Sequence, residues 1–485
     1  MSDRTSKAEV ISGLVWKLGE RIGAQGVQFI VSIVLARLLT PEDYGYVGIV
    51  LVFISILMVF VQNGLGNALI QKKDATQTDF SSVFYVNVAV GIFLFLILQL
   101  IAPLIASFYD AEILKPIVRV LALGLILASI NNVQNAFVAR KMIFKKFFFA
   151  TIIGTIVSAF TGILTAFAGY GIWAIVIQQL TNQVIDTIIL WMTVKWRPSK
   201  TFSWKSVKEL FAFGWKLLVS SLIDTIYNNL YTLTIGGYYS SADVGYYNRG
   251  KNIPNLVITN INSSIQVVMF PAYAKSQSNI QTVKSMVRKS MKVSTYLIFP
   301  IMAGLAATAK PLTIILLTDK WLPSVVFMQF CCFIYAFWPI HTANLQAISA
   351  IGRSDVYLKL EIIKKTLGVV TLIVTLPLGL QVMMIGRCIN TVIASVINAI
   401  PNRKLLNYSI SEQLSDLLPN IVASLFMGGV VYLVMLLNFN VVITLILQIV
   451  VGVVVYVLVS LIFKLDTFNY LLLTIKTIIE SKKSK

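Results

Sequence analysis

Residues 441–463 have the sequence VVITLILQIVVGVVVYVLVSLIF, which contains no charged side chain. About 20 apolar residues are enough to cross a bilayer as a helix, and lipid requires each backbone group to bond within its own segment. The whole chain has this character, with 57% hydrophobic residues, 12% charged residues and a mean hydropathy of +0.82. Because soluble domains carry about 25% charged residues, the composition excludes a soluble enzyme and a disordered chain.

Apolar spans recur along the chain, and we predict an all-α polytopic membrane protein with about 14 transmembrane helices. At ~22 residues each, these helices take up roughly 310 positions, so the connectors are too short for a folded domain outside the membrane. The predicted spans lie near 14–38, 45–69, 82–108, 114–137, 147–168, 171–194, 208–236, 250–274, 292–318, 322–350, 356–377, 381–402, 414–437 and 441–464.

The net charge of +20 comes from 40 lysines and arginines against 20 acidic residues. In a soluble protein such an excess suggests nucleic acid, but here 27 of the cations lie in alternate connectors and about seven in the opposite set. Cytoplasmic connectors are rich in lysine and arginine. The alternation therefore predicts cytoplasmic N- and C-termini, and topology explains most of the charge without a nucleic-acid partner.

The sequence repeats weakly with an offset near 200 residues. Trp-Lys at 16–17 returns at 215–216, and Asp-x-Gly-Tyr at 43–46 returns at 243–246. Six helices per half make the two repeats parallel, and transporters commonly bind substrate where such halves meet. The predicted domains are an N-terminal lobe (1–200), a C-terminal lobe (201–405), a final helix pair (406–464) and a basic cytoplasmic tail (465–485).

Charged and polar residues inside the spans form two stripes at helical spacing. Charges within a membrane usually face a cavity or a partner, although those near a helix end can reach the headgroups instead. Matched stripes at repeat-equivalent places favour a cavity that binds anions and sugars. The first stripe consists of Lys17, Arg21, Ala24 and Gln28, and the second of Lys216, Ser220, Asp224, Asn228 and Tyr231.

Other polar residues within the spans have competing interpretations. Glu20 lies one turn from Lys17 and could pair with it. Glu361 and Lys365 are likewise one turn apart and either line the cavity or follow a cytoplasmic loop. Arg387 is interpreted as a surface anchor.

Residues that usually carry catalysis or bind metals are few. His341 is the single histidine, so a multi-histidine metal site is excluded, and we interpret it as a hydrogen-bonded core residue. Cys331, Cys332 and Cys388 do not form the pattern of a disulfide framework. No Walker sequence occurs. We therefore predict neither a metal nor a cofactor.

Three stretches carry a resemblance to a known family: LARLLTPEDYG (35–45), GLGNALIQKKDATQTDFSSVFYVN (64–87) and GYYNRGKNIPN with MFPAYAKSQ (245–277). Over essentially its whole length the chain resembles the Wzx-type polysaccharide/O-antigen flippases of the multidrug/oligosaccharidyl-lipid/polysaccharide exporter superfamily. The resemblance implies two lobes around a central cavity in the bacterial cytoplasmic (inner) membrane. It also implies alternating access, which carries undecaprenyl-pyrophosphate-linked repeat units to the outer leaflet for lipopolysaccharide or exopolysaccharide synthesis.

The resemblance also implies cationic residues on the first and seventh helices, and coupling to proton or sodium movement. Expected partners are the lipid-linked oligosaccharide, the bilayer, and a polysaccharide polymerase with its export machinery. Ion-coupling candidates are Glu20 and Asp224. The candidate substrate-binding residues are Lys17, Arg21, Gln28, Lys216, Asp224, Asn228, Tyr231 and Lys365.

Two other classes of function compete with a flippase. A cation-coupled small-molecule exporter of the multidrug branch needs acidic cavity residues, whereas cations outnumber anions within these spans. A membrane-bound polysaccharide polymerase needs a long external loop, and a glycosyltransferase needs an Asp-x-Asp metal site. The sequence contains neither feature, so we expect a transporter and not an enzyme.

Overall fold

The structure, a computed structural model, describes residues 7–62 and 64–483. Over these residues the chain forms eighteen α-helices, three short 3-10 helices and no β-strand. The predicted all-α fold is therefore confirmed. Contacts divide the chain into two compact units, Met1–Gly245 and Tyr246–Lys485. The lobe boundary near residue 200, which rests on the sequence repeat, stays a prediction.

Among the described residues, the first unit contains nine complete helices: α1 Lys7–Leu38, α2 Pro41–Gln62, α3 Leu65–Gln71, α4 Gln77–Phe108, α5 Leu114–Leu121, α6 Leu123–Arg140, α7 Lys145–Phe167, α8 Trp173–Thr193 and α9 Trp204–Tyr238. The next helix begins in the first unit and continues into the second. The remaining helices are α10 Ser241–Lys275, α11 Ile280–Leu317, α12 Ser324–Ala336, α13 Trp338–Ala350, α14 Ser354–Thr375, α15 Leu380–Leu405, α16 Ile410–Leu433, α17 Val441–Ile462 and α18 Asp466–Lys483.

Helices occupy all fourteen places where the sequence predicts a span. Among the described residues, eleven helical stretches are long and apolar enough to cross a membrane, so the chain is a multi-pass membrane protein. The other three predicted spans correspond to α8, α10 and α14, which have 21, 35 and 22 residues. They fall outside those eleven stretches, and the count of fourteen transmembrane helices stays a prediction.

Three predicted spans, 45–69, 114–137 and 322–350, consist of two successive helices each. In the last of them α12 ends at Ala336 and α13 begins at Trp338, with Pro339 in its first turn. Proline has no N–H group and its ring excludes a helical turn before it. This explains why the helix restarts there, and sequence hydropathy alone does not detect such a break.

The repeated Asp-x-Gly-Tyr motif begins two equivalent helices, α2 and α10. Thr40 Oγ1 donates to Asp43 Oδ2 at 2.9 Å, and the Asp43 amide donates back to Thr40 Oγ1 at 3.2 Å. Ser240 and Asp243 form the same pair of bonds at 2.7 and 3.1 Å. Each pair satisfies amides that a helix N-terminus leaves without partners. The repeat therefore has a structural basis in two matching helix starts.

The glycine in each copy of the motif lets the two helix starts touch. A Cβ atom added to Gly45 would lie 1.7 Å from the carbonyl oxygen of Ser241, and one added to Gly245 would lie 2.1 Å from that of Pro41. All four residues belong to the first unit. Each glycine is required because any side chain would collide with backbone, which cannot move aside as a flexible side chain can.

The connector between α3 and α4 is held by charged side chains. Arg140, at the end of α6, donates to the carbonyl oxygens of Leu69, Lys72 and Lys73. Lys72 Nζ lies 3.0 Å from the buried carboxylate of Asp79. This hydrogen bond raises the pKa of Lys72. Arg140 and Lys72, which the charge alternation assigns only to membrane topology, therefore also hold the connector between α3 and α4 in place.

Candidate functional site

The predicted stripe on α9 is open to the surroundings along most of its length. Lys216, Asp224 and Asn228 are exposed, together with Ser220 between them, whereas Tyr231 at the far end is 8% exposed. Four-residue spacing keeps these side chains on one face of the helix. Exposed polar groups on a helix of membrane length are costly in hydrocarbon, so this face suits a water-filled space.

The opposite faces of α9 pack within the first unit. The helix contacts α2, α3 and α4. A Cβ atom added to Gly214 would lie 2.6 Å from the carbonyl oxygen of Gly64, so the backbones approach closely there. Ile235 is fully buried near the end of the helix. This packing holds α9 so that its polar stripe stays uncovered.

The stripe on α1 is less open than the stripe on α9. Arg21 is half-buried, Ala24 is buried and Gln28 is exposed, while the side chain of Lys17 lies outside the part of the protein that the structure describes. Helix α1 packs on α7, where the rings of Trp16 and Phe148 meet edge to face at 5.1 Å. The structure therefore describes Arg21 as the cation of this stripe.

Glu20 lies close to an acidic residue that the sequence did not link to it. Its carboxylate accepts a hydrogen bond from Thr151 Oγ1 on α7 at 3.2 Å. Asp186 on α8 is near enough for the charge of Glu20 to act on it, and its Oδ1 is buried without a hydrogen-bond partner. The tertiary structure thus brings two acidic side chains that are far apart in sequence within range of each other's charge.

Lys365 lies in the second unit, on α14, and is half-buried. An ion pair on this helix joins Glu361 to Lys364, at 2.5 Å, with exposed fractions of 23% and 13%. Pairs three residues apart share a helix face, as pairs four residues apart do, and the role of Lys365 in substrate binding stays a prediction.

Two further polar residues have defined partners in the second unit. His341 is confirmed as a hydrogen-bonded core residue: Asn398 Nδ2 donates to its Nδ1 at 2.9 Å, and its Nε2 lies 3.3 Å from Ser395 Oγ. Arg387 on α15 donates to the hydroxyl of Tyr247 on α10 at 2.5 Å. The interpretation of Arg387 as a surface anchor did not include this contact between two helices.

Comparisons with known proteins identify the family. The sequence signature described as "Polysaccharide biosynthesis protein" matches residues 34–326, more than half of the chain. The chain belongs to this family. The predicted resemblance to polysaccharide flippases is therefore confirmed at the level of the family.

Several relatives are similar to this chain. Teichuronic acid biosynthesis protein TuaB of Bacillus subtilis is 24% identical over 72% of each chain. Succinoglycan biosynthesis transport protein ExoT of Rhizobium meliloti is 26% identical over 66% of this chain and 65% of its own. Lipopolysaccharide biosynthesis protein WzxC of Escherichia coli is 24% identical over 81% of this chain and 80% of its own.

Solved structures show that the chain has a transporter fold. The lipid II flippase MurJ in its inward closed conformation superposes with a TM-score of 0.76 at 15% identity, over 94% of this chain and 100% of MurJ. An inward-facing MATE family multidrug transporter gives a TM-score of 0.62 at 18% identity, over 79% of this chain and 94% of its own. These likenesses confirm the predicted transporter fold.

Proposed function

We propose that this protein is a flippase that moves undecaprenyl-pyrophosphate-linked oligosaccharide repeat units from the inner to the outer leaflet of the bacterial cytoplasmic membrane. It works by alternating access, with both termini in the cytoplasm, and supplies surface polysaccharide synthesis. The exposed polar stripe of α9, which begins at Lys216, is the observation that carries this proposal. A polar headgroup is costly in hydrocarbon, and such a stripe gives it a hydrated path while the polyprenyl tail stays in lipid.

Each candidate residue has a role suited to its chemistry. Lys216 and Arg21 attract the diphosphate through charge-assisted hydrogen bonds, as does Lys17. Lys365, in the second unit, is a further candidate cation for substrate binding. Gln28 and Asn228 offer amides to sugar hydroxyls, and Tyr231 offers an aromatic face at the end of the stripe. Family membership supports a saccharide cargo, because the relatives are named for polysaccharide synthesis and transport.

Glu20 and Asp224 are the proposed carriers of a coupling proton or sodium ion. Asp224 lies in the middle of the exposed stripe of α9. Glu20 lies near Asp186, and two neighbouring carboxylates repel each other when both are ionised. A bound proton or cation relieves this repulsion, which supports the placement of a coupling site on α1. Functional partners are the bilayer and a polysaccharide polymerase with its export machinery.

The test of the proposal is deletion of the gene followed by chemical identification of the lipid-linked saccharide that accumulates. A flippase defect leaves completed repeat units on undecaprenyl pyrophosphate at the cytoplasmic face. A small-molecule exporter would leave the lipid-linked pool unchanged, and a polymerase or glycosyltransferase would alter the length or composition of the saccharide. An unchanged pool would therefore refute the flippase assignment.

We expect Lys17→Ala combined with Lys216→Ala to abolish surface polysaccharide while the protein still inserts and purifies as a single species. Each charge-assisted hydrogen bond contributes about 1.5–3 kcal/mol, so two losses reduce diphosphate binding by roughly two orders of magnitude or more. Polymer output is measured by immunoblotting. Lys208→Ala, an exposed lysine at the start of the same helix, is the control and should leave output normal. Normal polymer from the double variant would contradict the cavity assignment.

A further inference from the structure

A cavity of about 540 Å³ lies in the second unit where α11, α16, α17 and α18 come together. Its volume is within the range of roughly 300–1,000 Å³ of small-ligand sites. Polar side chains line one end and apolar side chains the other. The residues that define this Lys464 cavity are Lys292, Asp416, Val422, Phe426, Phe463 and Lys464.

The polar end has a cationic balance. Asp416 is 3% exposed and its charge is compensated by Arg288 at 2.5 Å, by Lys292 at 3.1 Å and by the hydroxyl of Tyr408 at 2.9 Å. Asp466, a second carboxylate of the lining, is 92% exposed and lies 4.0 Å from Lys292, while Lys464 is exposed. Three cations (Arg288, Lys292 and Lys464) therefore stand against two carboxylates (Asp416 and Asp466), and the group keeps one net positive charge for an anion.

The backbone at Lys464 has an uncommon conformation for a lysine. Its φ is +47°, and its amide donates to the carbonyl of Leu461 at 3.2 Å while Leu465 donates to Ser460 at 3.0 Å. Glycine or asparagine usually occupies this position after a helix. A cation there compensates the negative end of the helix dipole, and it also places an ammonium group at the edge of the cavity.

The apolar end of the cavity is open at its side. Val422, Phe426 and Phe463 are 56%, 59% and 72% exposed. They belong to the spans Ile410–Leu437 and Val441–Ile462 or directly follow them. Lys464 comes two residues after the second span ends. Lys464 therefore lies just outside its apolar span, and Val422 and Phe426 lie inside theirs, whichever leaflet this end occupies.

We propose that the Lys464 cavity binds one anionic phospholipid of the bilayer, distinct from the transported substrate. Its phosphate contacts Lys464 and Lys292, and an acyl chain lies along Val422 and Phe426. Basic pockets between membrane helices bind anionic headgroups in this way. An inorganic anion would leave the apolar wall empty, a saccharide would place hydroxyls against it, and a zwitterionic lipid would bring its own cation to the two lysines.

The test titrates the purified full-length protein in neutral detergent with phosphatidylglycerol and with phosphatidylcholine, and counts bound lipids by native mass spectrometry. We expect the wild type to prefer phosphatidylglycerol. Lys464→Gln should weaken phosphatidylglycerol binding about fivefold, since one lysine near an anionic surface contributes about 1 kcal/mol. Binding of phosphatidylcholine should not change.

Two further variants separate the cavity from general surface charge. Val422→Trp fills the exposed apolar wall, keeps both lysines and should weaken both lipids. Lys476→Gln removes an exposed lysine of α18 outside the cavity and should change neither. An equal loss in Lys476→Gln, or no preference in the wild type, would overturn the proposal.

Competition identifies the ligand. Displacement of phosphatidylglycerol by inorganic phosphate would reassign the cavity to a free anion, and tighter binding of undecaprenyl phosphate would reassign it to the carrier lipid. Either result refutes the phospholipid proposal. Because the assay measures equilibrium binding to purified protein, its outcome does not depend on whether the protein is a flippase.

Discussion

Replacement of Asp416 by alanine is expected to destabilise the second unit by about 1.5–3 kcal/mol, the contribution of a hydrogen bond to a charged group. Asp416 is 3% exposed, and it joins Arg288 and Lys292 of α11 to the start of α16. Without it, two cations and the Tyr408 hydroxyl lose their common acceptor. The remaining positive charges then repel each other, and the buried Tyr408 side chain loses the acceptor of its hydroxyl.

The measurement is the loss of the monodisperse peak on size-exclusion chromatography after heating purified protein in detergent. Asp416→Asn keeps the shape but removes the charge, and should fall between wild type and Asp416→Ala. Tyr408→Phe removes one hydrogen bond and should cost about 1 kcal/mol. An unchanged melting temperature for Asp416→Ala would show that the ion pairs do not hold α11 and α16 together.

Asp355 provides a matched control for this experiment. It forms an ion pair with Arg353 at 2.9 Å, but both side chains are about half exposed. The hydrogen bond from Arg353 lowers the pKa of Asp355 to about 2. The pair therefore persists at ordinary pH and is lost only as the pH falls towards 2. Exposed pairs contribute little to stability, so Asp355→Ala should leave the melting temperature close to that of wild type.

Replacement of Gly45 by valine should prevent assembly of the first unit or lower its stability by more than the 1–3 kcal/mol typical of overpacking. Its first added carbon would lie 1.7 Å from the Ser241 carbonyl oxygen. The starts of α2 and α10 would have to separate by more than an ångström. Such a separation would also disturb the contact of Gly245 with Pro41. We expect little monodisperse protein after membrane extraction.

Gly429→Val is the control for this prediction, because a Cβ atom at Gly429 in α16 meets no atom within 4 Å. The same substitution there should keep a normal chromatographic profile. Gly45→Ala and Gly245→Ala should each destabilise, and their combination should cost less than the sum because one helix displacement relieves both clashes. Full additivity would mean that the two contacts are independent.

The internal repeat shows what sequence comparison can and cannot determine. The motif Asp-x-Gly-Tyr occurs at 43–46 and again at 243–246, so sequence comparison detects the repeat. Hydropathy is a local property and places spans near 45–69 and 250–274, whereas the structure begins α2 at Pro41 and α10 at Ser241. The contact between these two helix starts at Gly45 and Gly245 does not follow from the sequence. A glycine can serve a turn, a bulge or a close approach, and the sequence does not distinguish among them.

The candidate site shows the same limit. Helical spacing correctly places Lys216, Asp224 and Asn228 on one face, and the structure leaves that face exposed. Spacing alone does not show that Ala24 is buried in the equivalent stripe of α1, or that Glu20 lies near Asp186. Burial depends on which neighbouring helix covers a face, and sequence periodicity contains no information on the neighbour.

The sequence by itself determined the membrane class, the places of the helices and the family, since each depends on composition, hydrophobic period or local motifs. Only the tertiary structure decided the pairing of charges. Asp416 meets Arg288 across 128 residues of chain, and Lys464 acquires a cavity from helices that are distant in sequence. The energy of a charge within a membrane depends on its nearest partners and on water, and three-dimensional packing sets both.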